Sequence, residues 1–420
     1  MNKYVIMLLL GVMSNGYAQS QTISLDSCIM WAYDVQQFAG NKELLRKSQV
    51  LAIENAGKMN LPTLVVDLNA TYQNENITIV TPAVPGFESP TVPLNFNRLL
   101  IQFNQTIYNG RLTAQKKIID SLAYDTKAYQ VEVEMAKLKS QITSLYSSVV
   151  LVREQGEIIN RQIANIEAKE KQLQGIIDAG AGYKSDLLNL QAEVLNLKQN
   201  ATDLKYMEES IRQQLSSLTE HEIGLSDKLE LPDIIIEETG VEARPELRLI
   251  NSQKDGLMAQ SDMSSASRMP YVGIFGNAGV GYPGYDIFNS SVRPMLLVGL
   301  KVNWKLIDWQ KSKNDRQLIS WNQDILSYQY DRIKLQFETE LDKQKKEIAK
   351  YEELISRDKQ IIQLRSAVTQ ATSARLDGGT ATSTDFLIQL NSEAVAELNE
   401  SIHLIKLALA KISYSIIQGN

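Results

Sequence analysis

The chain has 420 residues, a formal net charge of −6 at pH 7 and a sequence pI near 5.3. This acidic balance, without a dense run of lysine and arginine, excludes the usual composition of a nucleic-acid-binding protein. The single cysteine, Cys28, excludes an intramolecular disulfide and any Cys-rich metal site, and we expect it to be a buried, unreactive thiol.

The first 18 residues are predicted to be a secretory signal peptide. Lys3 supplies the positive start, residues 5–13 form an apolar run too short to span a bilayer, and Gly16-Tyr17-Ala18 is a small-x-small cleavage site. A lipoprotein would need a cysteine directly after this run, and Cys28 lies well beyond it. No other segment approaches about 18 consecutive apolar residues. We therefore expect a mature chain, starting near Gln19, that is periplasmic, exported or in the outer membrane.

Two β-hairpins are predicted from alternating apolar and polar residues. After a helical entry that ends at Leu61-Pro62, alternation runs over 64–73, stops in a Pro-rich stretch at 81–93 and resumes over 99–107. The second hairpin is predicted by the same pattern in three segments: alternation over 272–282, a loop at 283–294, and alternation over 296–306. The polar residues share the other face of these strands: Asp67, Asn69, Thr71, Gln102, Asn104, Thr106, Lys301, Asn303 and Lys305.

Between the hairpins the hydrophobic period becomes helical. Apolar residues at alternating steps of four and three run from Val131 to Ile177, interrupted only by Gly156 and Glu170, and restart at Leu187. This spacing is typical of a coiled coil. A helix over 111–177 would be a rod of about 100 Å.

The chain also repeats itself. Gly180 recurs as Gly379, and Asp186 recurs as Asp385, both 199 residues later. Two large repeats favour an assembled, symmetric architecture over a cleft enzyme. We predict a signal peptide followed by two structural repeats, each with a helix, a β-hairpin and two long helices: residues 1–18, 19–231 and 232–420.

The four strands of one chain cannot span a membrane by themselves. Four strands are too few to close a barrel, and lipid does not tolerate open sheet edges. If the strands span a bilayer, several chains must therefore share one barrel. The alternative is a soluble β-subdomain packed on helices, which the polar faces, suited to a wet lumen, make less favourable.

Several short motifs occur in an order and at a spacing that resemble those of the TolC-like outer-membrane efflux protein family, over essentially the whole mature chain. The motifs are Leu61-Pro62 and Met269-Pro270 before the strands, Tyr108-Asn109-Gly110 and Ile307-Asp308 after them, and residues 180–188 and 379–387 at the helix turns. The resemblance implies an α+β membrane protein in which long antiparallel coiled-coil helices form a periplasmic tunnel. It also implies four strands per chain in a β-barrel shared by a homotrimer, located in the outer membrane and extending into the periplasm.

The function that this resemblance implies is the outer-membrane exit channel of a tripartite efflux or type I secretion system. Such a channel is a passive, gated duct, coupled through a periplasmic adaptor protein to an inner-membrane transporter. Its partners would be its own copies, these two proteins and the lipid bilayer. Two alternatives are a non-pore periplasmic coiled-coil scaffold, disfavoured by strands of membrane length, and a porin-like diffusion channel, which has no need of long rods.

Asp186 and Asp385 are the candidate periplasmic gate. The resemblance places their turns at the periplasmic mouth, where threefold symmetry would make each a ring of three carboxylates that favours cations. Helix capping after Ser185 or Thr384 is the alternative interpretation. The chain departs from the best-known members of the family at three gate positions, so its latch is expected to differ or be weaker: Leu376, Ala381 and Ile388.

Gly180 and Gly379 are the candidate adaptor-contact tips that the resemblance implies. A positive φ at a helix–helix turn is the alternative interpretation. His221 and His403, the only histidines, have no Ser-His-Asp, zinc-type or phosphate-loop motif beside them. We therefore expect no catalytic, cofactor-binding or metal-binding residue, no cofactor and no enzyme activity. Interfacial belts and ordinary packing are the two interpretations of four aromatic residues: Tyr72, Tyr108, Trp304 and Trp309.

Overall fold

The computed structural model describes residues 22–75, 77, 91–180, 182–237 and 239–419. The predicted signal peptide and most of the Pro-rich stretch lie outside the described residues. The strands are β1 (Thr22–Ile23), β2 (Thr63–Tyr72), β3 (Asn95–Tyr108), β4 (Lys228–Leu229), β5 (Tyr271–Tyr282) and β6 (Arg293–Asn303). The helices are α1 (Leu25–Val35), α2 (Phe38–Lys58), α3 (Leu112–Asp178), α4 (Lys184–Thr219), α5 (Pro245–Ala266), α6 (Lys311–Asp377) and α7 (Ser383–Gln418).

Both predicted hairpins are present in one antiparallel sheet, with the strand order β2-β3-β5-β6. Its four strands are 10, 14, 12 and 11 residues long. The predicted alternation extended too far at one end, because β6 stops at Asn303, opposite Tyr271. Pro270 precedes that partner and has no backbone N–H to continue the ladder. Trp304, Lys305 and Leu306 consequently lie beyond the strand.

The sheet has one face of mostly large apolar residues and one face, called the polar face below, that holds all the charged residues of the strands together with glycines and some apolar residues. On β3, Leu99 and Ile101 belong to the apolar face and are exposed. Arg98, Leu100 and Gln102 alternate with them on the other face and are half-buried. One row of the apolar face crosses all four strands: Val66, Ile101, Ala278 and Leu296. A sheet with one solvated face normally buries its apolar face, so the exposure here is the reverse of the pattern in a soluble protein.

The long predicted rods are confirmed. α3 and α6 each have 67 residues, and each is followed by a 36-residue helix. Apolar residues that the coiled-coil pattern selects are buried along α3 and α4, among them Ile142, Val149, Ile166, Leu190 and Val194. None of the helices within the described residues is both long and apolar enough to cross a membrane.

The chain divides into two compact units. One comprises Met1–Gly40, Val131–Pro245 and Lys334–Asn420, and the other comprises Asn41–Gln130 and Glu246–Ile333. The first unit holds the turns that connect α3 to α4 and α6 to α7, and also the short parallel pair of β1 and β4. The second unit holds the four-stranded sheet.

Candidate functional site

The turn after α6 ends the helix with a Schellman motif centred on Gly379. The Gly379 N–H donates to the Leu376 carbonyl at 3.0 Å, and the Thr380 N–H donates to the Arg375 carbonyl at 2.8 Å. Gly379 has φ +70°, the left-handed conformation that this motif requires. No heavy atom lies within 4 Å of the position that a Cβ would take, so the glycine is required by the backbone and not by crowding.

The turn after α3 also places a glycine, Gly180, in the left-handed conformation. Its φ is +82°, and its N–H donates to the Ile177 carbonyl at 2.9 Å. Here too, the space beside the α-carbon is open. The conformational interpretation of Gly180 and Gly379 is therefore correct, and both turns also present an unobstructed surface.

Asp385 closes a capping box at the start of α7. Thr382 donates to Asp385 Oδ2 from its backbone N–H at 3.0 Å and from its hydroxyl at 2.8 Å. The Asp385 N–H donates in return to Thr382 Oγ1 at 3.2 Å. The backbone hydrogen bond and then the hydroxyl hydrogen bond hold the pKa of Asp385 below its usual value, and the positive charge of Arg375 adds to the effect.

Asp186 connects the two turns. Although it belongs to the first turn of α4, its Oδ1 accepts hydrogen bonds from the backbone N–H and the hydroxyl of Ser383, at 3.1 and 2.5 Å. Ser383 is the first residue of α7 and is fully buried. Asp186 and Asp385 therefore both serve the N-terminal end of α7, where the free N–H groups and the helix dipole favour negative charge.

The predicted capping positions were wrong in detail. Ser185 and Thr384 lie within the helices and are not caps. The N-cap of α7 is Thr382, and the N-cap of α4 is Tyr183, which makes no side-chain capping bond. Both aspartates are therefore third in their helices. This position suits the acidic partner of a capping box, which Asp385 is and Asp186 is not.

The three residues that differ from the family's gate residues have different surroundings. Leu376 is buried in an apolar core, and Ala381 packs against that core. Ile388 is exposed. The core contains residues from all four of the helices that meet at these turns: Ile163, Ile166, Leu173, Leu187, Leu190, Val194, Leu197, Leu376, Phe386 and Leu390. The apolar residue at 376 thus contributes to packing between the two helical hairpins.

A buried cation that no sequence pattern predicted lies next to these turns. The side chain of Lys169, on α3, is only 5% exposed, and its Nζ lies 2.6 Å from Asp377 Oδ1 at the end of α6. The same ammonium donates to the Ser373 hydroxyl at 2.7 Å and to the Ser373 carbonyl at 3.1 Å, and it lies over the ring of Phe386. A buried ammonium needs such partners. Nothing in the local sequence distinguishes Lys169 from the exposed lysines of α3.

The remaining polar residues that the sequence drew attention to have structural surroundings. Cys28 is buried, and burial raises the pKa of its thiol to about 11. The His221 ring stacks on Trp31, and His403 Nδ1 lies 2.6 Å from Asp358 Oδ2. Over the part of the chain that the structure describes, no group of three or more His, Cys, Asp or Glu side chains could hold a metal ion.

No family model matches the chain, and no curated protein matches it in sequence. Its fold does match solved structures. The outer-membrane channel OprN superposes with a TM-score of 0.71 at 15% identity, over 93% of this chain and 89% of that one. VceC, an outer membrane protein of Vibrio cholerae, gives a TM-score of 0.70 at 13% identity, over 94% and 96%. CusC, which forms a transmembrane channel, gives 0.72 at 11% identity, over 97% and 95%.

These superpositions cover nearly the whole of both chains. The chain therefore has the TolC-like fold, and the resemblance predicted from the sequence is confirmed at the level of the fold. Identities of this size establish the fold alone, so the activity has to be argued from the residues of this chain.

Proposed function

We propose that this protein is the exit channel of a tripartite efflux or type I secretion system in the outer membrane. In this proposal the duct is passive, and a periplasmic adaptor couples it to an inner-membrane transporter that supplies the energy. The similarity of the fold to three outer-membrane proteins and channels supports the proposal. The distribution of charge on the sheet supports it independently.

The observation that carries the proposal is the separation of charged from apolar residues on the sheet. Each charged residue of the four strands lies on the same face: Asp67, Arg98, Arg293 and Lys301. The opposite face carries no charge and exposes large apolar side chains, including Val66 and Val298, each 70% exposed. A face without charge suits lipid, and a face with charges suits a water-filled lumen.

The edges of the sheet favour assembly. Within the described strands, β2 and β6 each pair on one side only. Their free backbone groups would lack partners in lipid, so we propose that they pair with neighbouring copies. Three chains would supply twelve strands, the homotrimer that the family resemblance implies. The four aromatic residues at or near the strand ends are exposed, as interfacial belts require: Tyr72, Tyr108, Trp304 and Trp309.

The helix turns have two roles in this proposal. Asp186 and Asp385 form acidic rings at the periplasmic mouth, and the hydrogen bonds from Ser383 to Asp186 hold the two turns together. Gly180 and Gly379 present open tips to the adaptor. Since the family's gate positions carry Leu376, Ala381 and Ile388, the latch depends on other contacts, among them the Lys169–Asp377 pair.

Membrane fractionation combined with crosslinking tests location and assembly together. We expect the mature chain in the outer-membrane fraction, soluble only in detergent, with a crosslinked species of three chains. A soluble periplasmic monomer would contradict the proposal and support the scaffold alternative. An outer-membrane trimer whose loss leaves export unchanged, while small solutes still diffuse through it, would support the porin-like alternative.

A further inference from the structure

The polar face of the sheet carries two arginines in a single row. In the register of the sheet, Arg98 on β3 lies opposite Gly281 on β5, and Gly281 lies opposite Arg293 on β6. Strands are about 4.8 Å apart, so the two arginine backbones are about 10 Å apart. Gly281 between them has no side chain, so no side chain of β5 separates the two arginines in this row.

Neighbouring groups fill the space beside Gly281. A Cβ at Gly281 would lie 2.4 Å from Met295 Sδ and 3.3 Å from Arg98 Cγ. Any larger residue would therefore displace the stem of Arg98 or the side chain of Met295. The glycine lets the Arg98 stem lie across β5, so its guanidinium remains on the polar face.

Neither guanidinium is neutralised by an ion pair within the described residues. Arg98 lies over the ring of Phe96, 5.9 Å from its centroid, and its Nε is buried without a hydrogen-bond partner. Arg293 donates from Nε to the Ser291 hydroxyl at 3.2 Å. A hydroxyl and an aromatic ring leave the positive charge in place. Both arginines can therefore accept an anionic partner.

The polar face is electropositive as a whole. Its strands carry three cations and one carboxylate, Asp67, which gives a net charge of +2 per chain. Asp67 lies two residues from Asn69, the partner of Arg98, and so offsets only part of the charge of that row. This sign is opposite to the formal charge of the whole chain, −6.

We propose that Arg98 and Arg293 form an anion-selective site in the lumen of the strand region, which attracts permeating solutes that carry carboxylate or phosphate groups. This inference rests on the proposed channel function, because three copies are needed to make the row a ring of six guanidinium groups. A guanidinium binds such groups in a bidentate manner, and a ring of one sign of charge raises the local concentration of counter-ions.

The test is the ion selectivity of the reconstituted full-length channel. In planar bilayers under a potassium chloride gradient, the reversal potential gives the ratio of chloride to potassium permeability. We expect R98Q/R293Q to lower this ratio about 2-fold or more, because six positive charges leave the ring. The single variants R98Q and R293Q should each produce a smaller change in the same direction, and they keep the test valid if the double variant does not assemble.

The matched control is R98K/R293K, which keeps the charge and removes the bidentate geometry. We expect the permeability ratio of this variant to stay close to that of the wild type, while block of the chloride current by inorganic phosphate weakens. An unchanged permeability ratio in R98Q/R293Q and in both single variants overturns the inference and leaves the channel function standing. A wild-type protein that inserts and conducts no ions overturns both.

Discussion

At the scale of single residues, the two candidate gate aspartates are engaged in the structure of one helix end. Asp385 accepts two hydrogen bonds from Thr382, and Asp186 accepts two from Ser383. These bonds satisfy N–H groups that a helix start would otherwise leave open. A carboxylate that caps a helix still carries its charge, so the capping role and the proposed acidic rings are compatible.

The capping box of α7 should be sensitive to acid. Because the folded-state pKa of Asp385 is lowered, its contribution is complete above the unfolded-state pKa of about 3.9 and is lost as pH falls through the lower folded-state value. We expect the Thr382 amide to keep its hydrogen-exchange protection down to the ordinary pKa of an aspartate and to lose it as pH falls further, through the lowered folded-state value. Asp385→Asn is the control, since an amide does not titrate. The same loss of protection in that variant would contradict the assignment.

The proposed acidic rings can be separated from capping by conductance. Replacing Asp186 and Asp385 together by asparagine keeps the side-chain size and one acceptor oxygen at each position, and it removes up to six carboxylates from a trimer. Single-channel recordings should then show a reduced preference for cations. If ion selectivity does not change while the trimer assembles normally, the two aspartates act only as helix-end residues.

At the scale of elements, the Lys169–Asp377 pair fixes the end of α6 to α3. We expect Lys169→Met to destabilise the protein by about 2 kcal/mol, because Asp377 and Ser373 lose the buried ammonium that pairs with them. Asp377 is partly exposed, so the loss is smaller than for a fully buried ion pair. The measurement is thermal unfolding of the detergent-solubilised protein, with limited proteolysis at the turn after α6.

Lys198→Met provides a matched control for that prediction. Lys198 pairs with Glu167 at 2.8 Å, and both side chains are about half exposed. An exposed pair contributes less than about 1 kcal/mol. Equal losses in Lys169→Met and Lys198→Met would contradict a special role of the buried pair.

The turn after α6 tests adaptor docking. Gly379→Val places a β-branched residue at φ +70°, which costs about 1–2 kcal/mol without any clash, since the space beside Gly379 is open. We expect a normal trimer and lost export of a pump substrate.

Gly378→Val is the control, because Gly378 lies next to the tip without a positive φ. Loss of the trimer would make Gly379 purely structural, and normal export would reject docking at this tip. We expect the same result at Gly180, where Gly182 nearby can relieve the strain of the turn.

At the scale of the whole molecule, the two faces of the sheet should respond differently to charge. Val298 on the apolar face and Leu297 on the polar face are neighbours, exposed by 70% and 43%. If lipid covers the apolar face, Val298→Lys should cost about 2–4 kcal/mol near the bilayer midplane and lower the amount of trimer in the outer membrane. Leu297→Lys should be tolerated. In a soluble protein both lysines would be solvated, so equal yields of the two variants would contradict membrane insertion.

Patterns that repeat over a few residues were readable from the sequence alone. Alternation with a period of two predicted both hairpins, and steps of four and three predicted the helices now seen as α3 and α4. The 199-residue repeat then predicted the second pair of long helices, α6 and α7. The glycines at 180 and 379 predicted the turns, because few other residues adopt positive φ at a helix end. Each of these features is fixed by the conformational preferences of neighbouring residues.

Contacts between distant segments were decided only by the tertiary structure. Asp186 and Ser383 are 197 residues apart, Lys169 and Asp377 are 208 apart, and the row from Arg98 to Arg293 depends on the pairing of β3 with β5. The rotation of one helix against another and the register between two hairpins are set by packing over the whole interface. No short pattern in the sequence encodes that rotation or register, so the partners of the gate aspartates, the buried lysine and the arginine row could be identified only from the folded chain.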